Sequence, residues 1–243
     1  RDFCLSRGLG DVYKRQIITT MIPLIHIKLS EVPTMNKKEM DKITKNIQKG
    51  CHDIQNIVAL IYGNCQLMSV DHPELNDDPH WVNIQSDINS LVVLMKSLNH
   101  YRYAHVVTKA PEMLADIINT SISHFPELKI KCNTYVYARV MADSSAIIFV
   151  MDSLFQNIYD VSHNASVNVD VSILENYFTI SVKDFLPKIP DETSGAFFNP
   201  FNSPNPEKFG LSLATSAIIV ASHGGALSYR YENGNSFTFT LKK

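Results

Sequence analysis

A glycine near the C-terminus leads into a run that predicts a helix, and such places bind phosphate in many proteins. Gly210, Ser212 and Ala214 occupy alternate positions of this run, G-L-S-L-A. At a helix N-terminus the first backbone N–H groups are free and the helix dipole is positive, so an anion is stabilised there. Glycine allows close backbone approach, and Ser212 adds a hydroxyl donor. The run therefore predicts a phosphate-binding site.

A second group of residues could act as a nucleophile with two helpers. His52 lies two residues before the apolar Ile54, about 200° around a helix, so we expect its ring to face solvent. A neutral imidazole can attack a γ-phosphoryl group, and Asp53 could hold its tautomer or accept its proton. Asn56 is one helical turn further on, where its amide could orient a water. A solvated surface histidine without a chemical role remains the alternative.

Two apolar stripes predict the helices that would carry these residues. Apolar residues spaced three and four apart run from 40 to 68, and again from Trp81 to Leu98. Between them, residues 71–79 contain two prolines and several turn formers, which favours a reversal of the chain. We expect an antiparallel helical hairpin. A second copy would cover both stripes in a four-helix bundle, so a homodimer is expected.

The chain beyond residue 106 predicts mixed helix and strand. Helices are expected over residues 109–123 and 145–161 and from Gly210 onward, and strands over 128–136, 166–173 and 177–183, with a final hairpin turned at Asn233-Gly234. This order predicts an α/β sandwich with helices on one face of a mixed sheet, so the chain as a whole is α+β.

Charge, cysteine usage and hydropathy limit the classes of partner and the cellular compartment that we expect. A net charge of −2 on 243 residues gives no basic patch for nucleic acid or an anionic membrane, so neither partner is expected. The four cysteines form no close pair, which indicates reduced thiols in a cytoplasmic protein. The apolar stretch at 17–27 is shorter than the roughly 20 residues that span a bilayer, so no membrane segment is expected.

Residues 1–34 are expected to be an artefact or a disordered segment. Residues 4–16, C-L-S-R-G-L-G-D-V-Y-K-R-Q, resemble a translated sequencing-adapter remnant, which places the expected natural start at Met21 or Met35. A flexible native tail is the alternative.

The order of five short motifs resembles the transmitter region of two-component sensor histidine kinases. Residues 52–56, H-D-I-Q-N, resemble the phospho-acceptor box, with Ile57 in place of a frequent proline. Residues 154–160, L-F-Q-N-I-Y-D, resemble the N box, whose asparagine, here Asn157, is implied to coordinate Mg²⁺. Asp160 stands where a basic residue is usual, and an anion beside a triphosphate is unfavourable unless it is compensated.

Three further motifs follow in the family's order. Asp184 resembles the adenine-binding aspartate of the first glycine box, but Leu186 and Lys188 replace its glycines, which argues for a narrowed or rebuilt adenine pocket. Lys188 could instead reach a phosphate. Residues 197–201, F-F-N-P-F, resemble the phenylalanine box, and the run from Gly210 resembles the second glycine box.

The resemblance covers about residues 36–243 and implies two domains: a dimerisation and histidine-phosphotransfer hairpin at 35–105 and a Bergerat-type ATP-binding domain at 106–243. It implies ATP and Mg²⁺ as cofactors and a response-regulator receiver domain as partner. His52, Asp53 and Asn56 would be catalytic. The remaining implied site residues would bind the nucleotide: Asn157, Asp184, Gly210, Ser212 and Ala214.

The implied activity is ATP-dependent autophosphorylation of His52 followed by transfer to an aspartate. One alternative is a degenerate kinase that acts as a phosphatase, phosphotransfer or docking module, and another is a dimerisation scaffold. An open cleft between Asn157, Asp184 and Gly210 would favour nucleotide binding, whereas a cleft filled by Leu186 or Lys188 would not.

Overall fold

The computed structural model describes residues 37–133, 138–174, 176–205 and 208–243, with side chains from Lys49 onward. The chain forms two compact units, Arg1–Ile57 and Val58–Lys243. The N-terminal segment predicted at 1–34 and the first two residues of the hairpin predicted at 35–105 lie outside the described residues.

Two long helices occupy the stretch where the apolar stripes predict them. Helix α1 runs over Lys37–Asp71, a 3₁₀ turn follows at Pro73–Asp77, and helix α2 runs over Pro79–Tyr103. Asp78 caps α2 by accepting hydrogen bonds from the backbone N–H groups of His80 and Trp81. The indole Nε1 of Trp81 donates to Ser69 Oγ at 2.9 Å. Within the second unit, this bond joins the end of α1 to the start of α2.

The remaining elements of the second unit form the mixed α/β part of the chain. In chain order they are β1 (Ala110–Met113), α3 (Leu114–Ser123), β2 (Lys129–Cys132), β3 (Arg139–Ala142), α4 (Ser144–Val161), β4 (Ser166–Leu174), β5 (Tyr177–Asp184), α5 (Asp191–Ser194), α6 (Ser212–Ser222), β6 (Leu227–Tyr231) and β7 (Asn235–Lys242). Five strands make one sheet in the order β2-β4-β5-β7-β6, in which β2 and β4 are parallel and the other neighbours antiparallel.

Helices α3, α4 and α6 share one hydrophobic core with this sheet. Burial alternates along β5 and β7, as expected when one face of a sheet packs against helices. Phe155 of α4 and Phe239 of β7 are among the largest fully buried side chains. Each such side chain contributes about 1.5–3 kcal/mol relative to an exposed one. The predicted α+β class, helices followed by a mixed α/β domain, is confirmed.

The helix predicted over residues 109–123 is wrong in its first part. Residues Ala110–Met113 form strand β1, which pairs antiparallel with β3. Pro111 biases the residue before it toward extended backbone, and pairing with β3 supplies hydrogen bonds that a first helical turn would lack. The strand predicted over 128–136 is shorter, at Lys129–Cys132, and residues 134–136 lie outside the described residues.

Hydrogen bonds around Asp143 tie three parts of the second unit together. Its Oδ1 caps α4 by accepting from Ala146 N, and its Oδ2 accepts from Thr108 N at 2.9 Å. Its own N–H donates to Nε2 of the buried His223, whose Nδ1 lies 2.7 Å from the Ile219 carbonyl. The segment after α2, the start of α4 and the end of α6 are therefore joined.

Candidate functional site

A cavity of about 520 Å³ lies between α4, the end of β5, the segment that follows it and the start of α6. Asn157, Asp184, Gly210 and Ser212 all line it, whereas the predicted Ala214 is buried within α6 and does not. Leu186 and Lys188 are also lining residues, but they leave the cleft open. The volume is within the range of small-molecule pockets.

One side of the cavity, which we call the Asp184 wall, consists of Asp184, Asn235 and residues 185–189. Asp184 is only 3% exposed, and its Oδ1 accepts hydrogen bonds from Leu186 N at 2.9 Å and from Asn235 Nδ2 at 2.8 Å. Asn235 Oδ1 accepts in turn from Ile189 N at 3.2 Å and from the Tyr229 hydroxyl at 2.8 Å. The Asn235 side chain thus holds residues 185–189, which stand in place of the glycine-rich loop.

Asn235 was not predicted from the sequence. Its bond to Asp184 joins residues 51 positions apart, and no local spacing signals it. The preceding Gly234 has φ +147° and packs so closely that an added Cβ would lie 2.1 Å from the Asp184 carbonyl oxygen. The turn at Asn233-Gly234 that joins β6 to β7 therefore also places Asn235 against Asp184.

A second group of lining residues, which we call the Asn157 wall, consists of Asn157, Asp160, Lys208, Gly210 and Ser212. Asn157 Nδ2 is buried and has no hydrogen-bond partner within the described ranges. An unpartnered buried donor costs about 1–3 kcal/mol, so its presence beside a cavity indicates a group kept for a ligand. Rotation of the amide by 180° would present Oδ1 at the same place. Because Mg²⁺ takes few protein ligands and keeps water and phosphate oxygens, this amide suits a nucleotide-bound Mg²⁺.

The unfavourable charge expected at Asp160 is compensated by a lysine from another segment. The ammonium of Lys208 contacts Asp160 Oδ2, and Gln156 Nε2 donates to Asp160 Oδ1 at 2.9 Å. Burial lowers the pKa of Lys208. Sequence reasoning missed Lys208, although a basic residue two positions before Gly210 was a visible signal.

The start of α6 has the features of an anion site. Gly210 has φ +64°, and an added Cβ would lie 2.4 Å from the Asn202 carbonyl oxygen, so only glycine fits there without strain. The helix begins at Ser212, and Leu211 supplies no side-chain cap. The N–H groups of Ser212, Leu213 and Ala214 therefore have no acceptor within the helix.

His52, Asp53 and Asn56 lie on α1 in the first unit. The His52 side chain is 69% exposed, and its Nδ1 lies 3.3 Å from Asn56 Nδ2 and 3.7 Å from Asp53 Oδ1. Both contacts use Nδ1. A proton on Nδ1 would face Asp53 and leave the Nε2 lone pair free, and the Asn56 amide would then have to turn by 180° to present Oδ1 to this proton.

The part of the chain that the structure describes has neither a metal-binding cluster nor a membrane-spanning helix. No group of three or more His, Cys, Asp or Glu side chains could hold a metal ion there. None of the described helices is both long and apolar enough to cross a bilayer.

Residues 142–243 match the model of the family described as histidine kinase-, DNA gyrase B- and HSP90-like ATPase. No curated protein sequence matches the chain. Among solved structures, the catalytic domain of histidine kinase ThkA is 25% identical, with a TM-score of 0.52, over 56% of this chain and 96% of that one.

Two longer structures also match. Full-length ShkA in complex with AMPPNP has a TM-score of 0.67 and 15% identity, over 81% of this chain and 45% of that one. ThkA in complex with the response regulator protein TrrA has a TM-score of 0.56 and 22% identity, over 85% of this chain and 64% of that one. This chain thus spans less than two thirds of either of these two structures.

Residues 142–243 are thus similar in sequence to the ATPases of the histidine kinase, DNA gyrase B and HSP90 type, and the fold and the cavity agree with this similarity. Together with the helices that precede these residues, the matches support a sensor histidine kinase transmitter region.

Proposed function

We propose that this chain phosphorylates its own His52 from ATP and passes the phosphoryl group to an aspartate of a response-regulator receiver domain. The observation that carries the proposal is the open cavity on which Asn157, Asp184, Gly210 and Ser212 converge. The AMPPNP complex of the similar ShkA structure supports a nucleotide as its ligand.

Each wall of the cavity would bind a different part of ATP. Asp184 would accept a hydrogen bond from the adenine amino group. The free N–H groups at the start of α6 and the Ser212 hydroxyl would bind phosphate oxygens. Asn157 would hold Mg²⁺, which neutralises charge on the phosphates. Most of the catalysis would then come from positioning and charge stabilisation.

His52 would act through Nε2. Its attack on the γ-phosphorus forms an N–P bond while the bond to the oxygen of the leaving ADP breaks. The Nδ1 proton of the phosphorylated ring then passes to Asp53, whose Oδ1 is 3.7 Å away, or to solvent. In the next step the phosphoryl group leaves Nε2 for a receiver carboxylate. The complex of ThkA with TrrA supports a receiver partner.

Exposed apolar residues on both long helices support the proposed homodimer. Leu60, Leu67 and Val70 of α1 are 62–74% exposed, and Ile84 and Val93 of α2 are about half exposed. Large apolar side chains in such number on two neighbouring helices favour a second helical pair as their cover.

Incubation of the whole chain with Mg²⁺ and γ-labelled ATP tests the activity. We expect acid-labile, base-stable label that is absent from a His52→Ala variant. His72→Ala is the matched control, because His72 is also an exposed histidine near a carboxylate, with Glu74 at 3.1 Å. It should retain the label. ATP binding without label would leave the phosphatase or phosphotransfer alternative, and no ATP binding would leave only docking or scaffold roles.

A further inference from the structure

Lys208 lines two adjoining cavities, one of which is the proposed nucleotide site. It lines the larger cavity beside Gly210 and Ser212, and it also lines an adjoining cavity of about 320 Å³ that shares Asn157 and Ser212. Its side chain is 37% exposed and its ammonium contacts Asp160, which is 28% exposed. The lysine is therefore held at the place where the two cavities meet.

The larger cavity has one other basic lining residue within the described ranges, Lys188. Lys188 belongs to the Asp184 wall, is 48% exposed and forms a 2.7 Å ion pair with Asp191 three residues further along the chain. An exposed pair of this kind is worth little, so the place of Lys188 on the Asp184 wall, and not its pairing, separates it from the expected phosphate site. Lys208 instead stands next to the free N–H groups of α6, where phosphate is expected.

Asp160 would repel a triphosphate if it stood alone. Asn157 and Asp160 are three residues apart on α4, so a phosphate near the Asn157 amide is also near this carboxylate. A carboxylate at that place is tolerable when a cation neutralises it. The cation does not come from α4, where the family resemblance would place it, but from the segment that precedes α6.

We propose that Lys208 is the phosphate-binding cation of this site and that Asp160 holds its ammonium in place when no nucleotide is bound. The inference rests on the proposed ATP-binding function. An ammonium has three donors on a flexible stem, so Lys208 can keep Asp160 as one partner while it donates to phosphate oxygens. The interaction should therefore grow with the number of phosphates on the ligand.

The test is the affinity of the whole chain for adenosine, Mg²⁺–ADP and Mg²⁺–ATP, measured by calorimetry. Lys208→Met keeps the aliphatic length and removes the charge. We expect ATP affinity to fall at least about tenfold, as for loss of a charged hydrogen bond, while adenosine affinity changes less than about twofold. Unchanged adenosine binding also reports an intact fold. If Lys208→Met fails to fold, Lys208→Gln, which keeps a donor for Asp160, replaces it.

Two further variants locate the cation. Lys188→Met should change ATP affinity less than about twofold, because Lys188 belongs to the Asp184 wall and not to the residues grouped at the start of α6. In the Lys208→Met background, Asp160→Lys returns a cation to α4 and should restore ATP affinity to within about threefold of the unmodified chain. A larger loss in Lys188→Met than in Lys208→Met overturns the inference.

Failure of the inference and failure of the proposed function give different results. If the unmodified chain binds ATP and Lys208→Met binds it equally well, the inference alone is wrong. If the unmodified chain binds no ATP, both are wrong. If ATP binds in the expected pattern but His52 is never labelled, the inference stands and autophosphorylation does not.

Discussion

The two walls of the cavity differ in how they replace the residues that the family usually carries. On the Asp184 wall two glycines are lost, and a hydrogen-bond network centred on Asn235 holds the loop. On the Asn157 wall a charge is reversed, and the ion pair of Asp160 with Lys208 compensates it. The hydrogen bonds of the first wall join protein groups to one another, whereas the second keeps an unpartnered amide and free N–H groups.

The Asp184 wall therefore determines mainly the shape of the cavity, and the Asn157 wall determines mainly its interactions with charged groups. A hydrogen-bond network made within the protein fixes the geometry of the cavity, whereas unpartnered donors beside a cation gain a great deal from an anion. We therefore expect substitutions on the Asp184 wall to affect folding and every nucleoside ligand alike. Substitutions on the Asn157 wall should discriminate by phosphate number.

The largest effect is expected for Asn235→Ala on the Asp184 wall. The substitution removes partners from the buried Asp184, from Ile189 N and from the Tyr229 hydroxyl, so we expect a loss of about 3–5 kcal/mol in the free energy of unfolding. Adenosine and ATP should lose affinity together. Urea unfolding and calorimetry measure both effects.

The matched control for this prediction is Asn164→Ala, since Asn164 is an exposed asparagine that accepts one 3.2 Å bond from Ser162. It should change stability by less than about 0.5 kcal/mol. Loss of ATP affinity in Asn235→Ala with adenosine affinity unchanged would contradict the division between the walls.

Gly210→Ala should have the next largest effect, on the Asn157 wall. A Cβ at φ +64° and 2.4 Å from the Asn202 carbonyl oxygen forces the backbone to move, at a cost of about 2–3 kcal/mol. We expect ATP affinity to fall more than adenosine affinity, because the displaced backbone leads into α6. Gly63→Ala is the control. Gly63 lies within α1 with no atom near its added Cβ, so that substitution should stabilise the chain by about 0.5–1 kcal/mol.

A smaller effect is expected at Ser212, where hydroxyl and backbone contributions can be separated. Ser212→Ala should weaken ATP binding about two- to fivefold through loss of one hydroxyl donor, with adenosine unaffected. Ser212→Gly keeps the backbone N–H as well and should give a similar loss. A tenfold or greater loss in either variant would show that the hydroxyl, and not the N–H groups, dominates phosphate binding.

The smallest effect concerns pH, which we expect to change the stability of the whole unit without distinguishing the two walls. Burial lowers the pKa of His223, so below about pH 6.5 the unfolded chain binds more protons at this residue than the folded chain. Stability should therefore fall as the pH drops from 7 through this range. Partial burial would raise the pKa of Asp143, but hydrogen bonds from Thr108, Ser145 and Ala146 outweigh this effect and lower it. The stability that the lowered pKa contributes is lost only below about pH 4.

Urea midpoints at pH 7.5, 6.5 and 5.5 measure the histidine contribution, with His223→Gln as the comparison. The variant should lose less stability across this range than the unmodified chain. An equal loss in both would assign the pH dependence to other groups.

Much of the fold followed from periodicity and turn residues. The three- and four-residue spacing of α1 and α2, the alternation of β5 and the Asn233-Gly234 turn are local signals, and the structure has all of these elements. Strand β1 was missed because it pairs with β3, whose partner residues lie about 29 positions further along the chain. This pairing outweighs the local helical pattern.

The candidate site was predictable only where a residue acts through its own segment. Gly210 and Ser212 could be placed from the helix start that follows them, and Asn157 from its motif. Lys208 and Asn235 act on residues 48 and 51 positions away, so their partners depend on the tertiary fold. The outcome at Asp160 shows the same limit, because the sequence displayed the reversed charge but not its neutralisation.

The bond from Thr108 N to Asp143 Oδ2 also determines how much freedom the helix before it has. Helix α2 ends at Tyr103, so residues 104–107 alone separate it from a point fixed to the start of α4. The five Cα-to-Cα steps from Tyr103 to Thr108 span at most about 18 Å when fully extended. A turning motion of α2 must therefore be accommodated within this short connection and at the contact of His100 with Phe149 of α4.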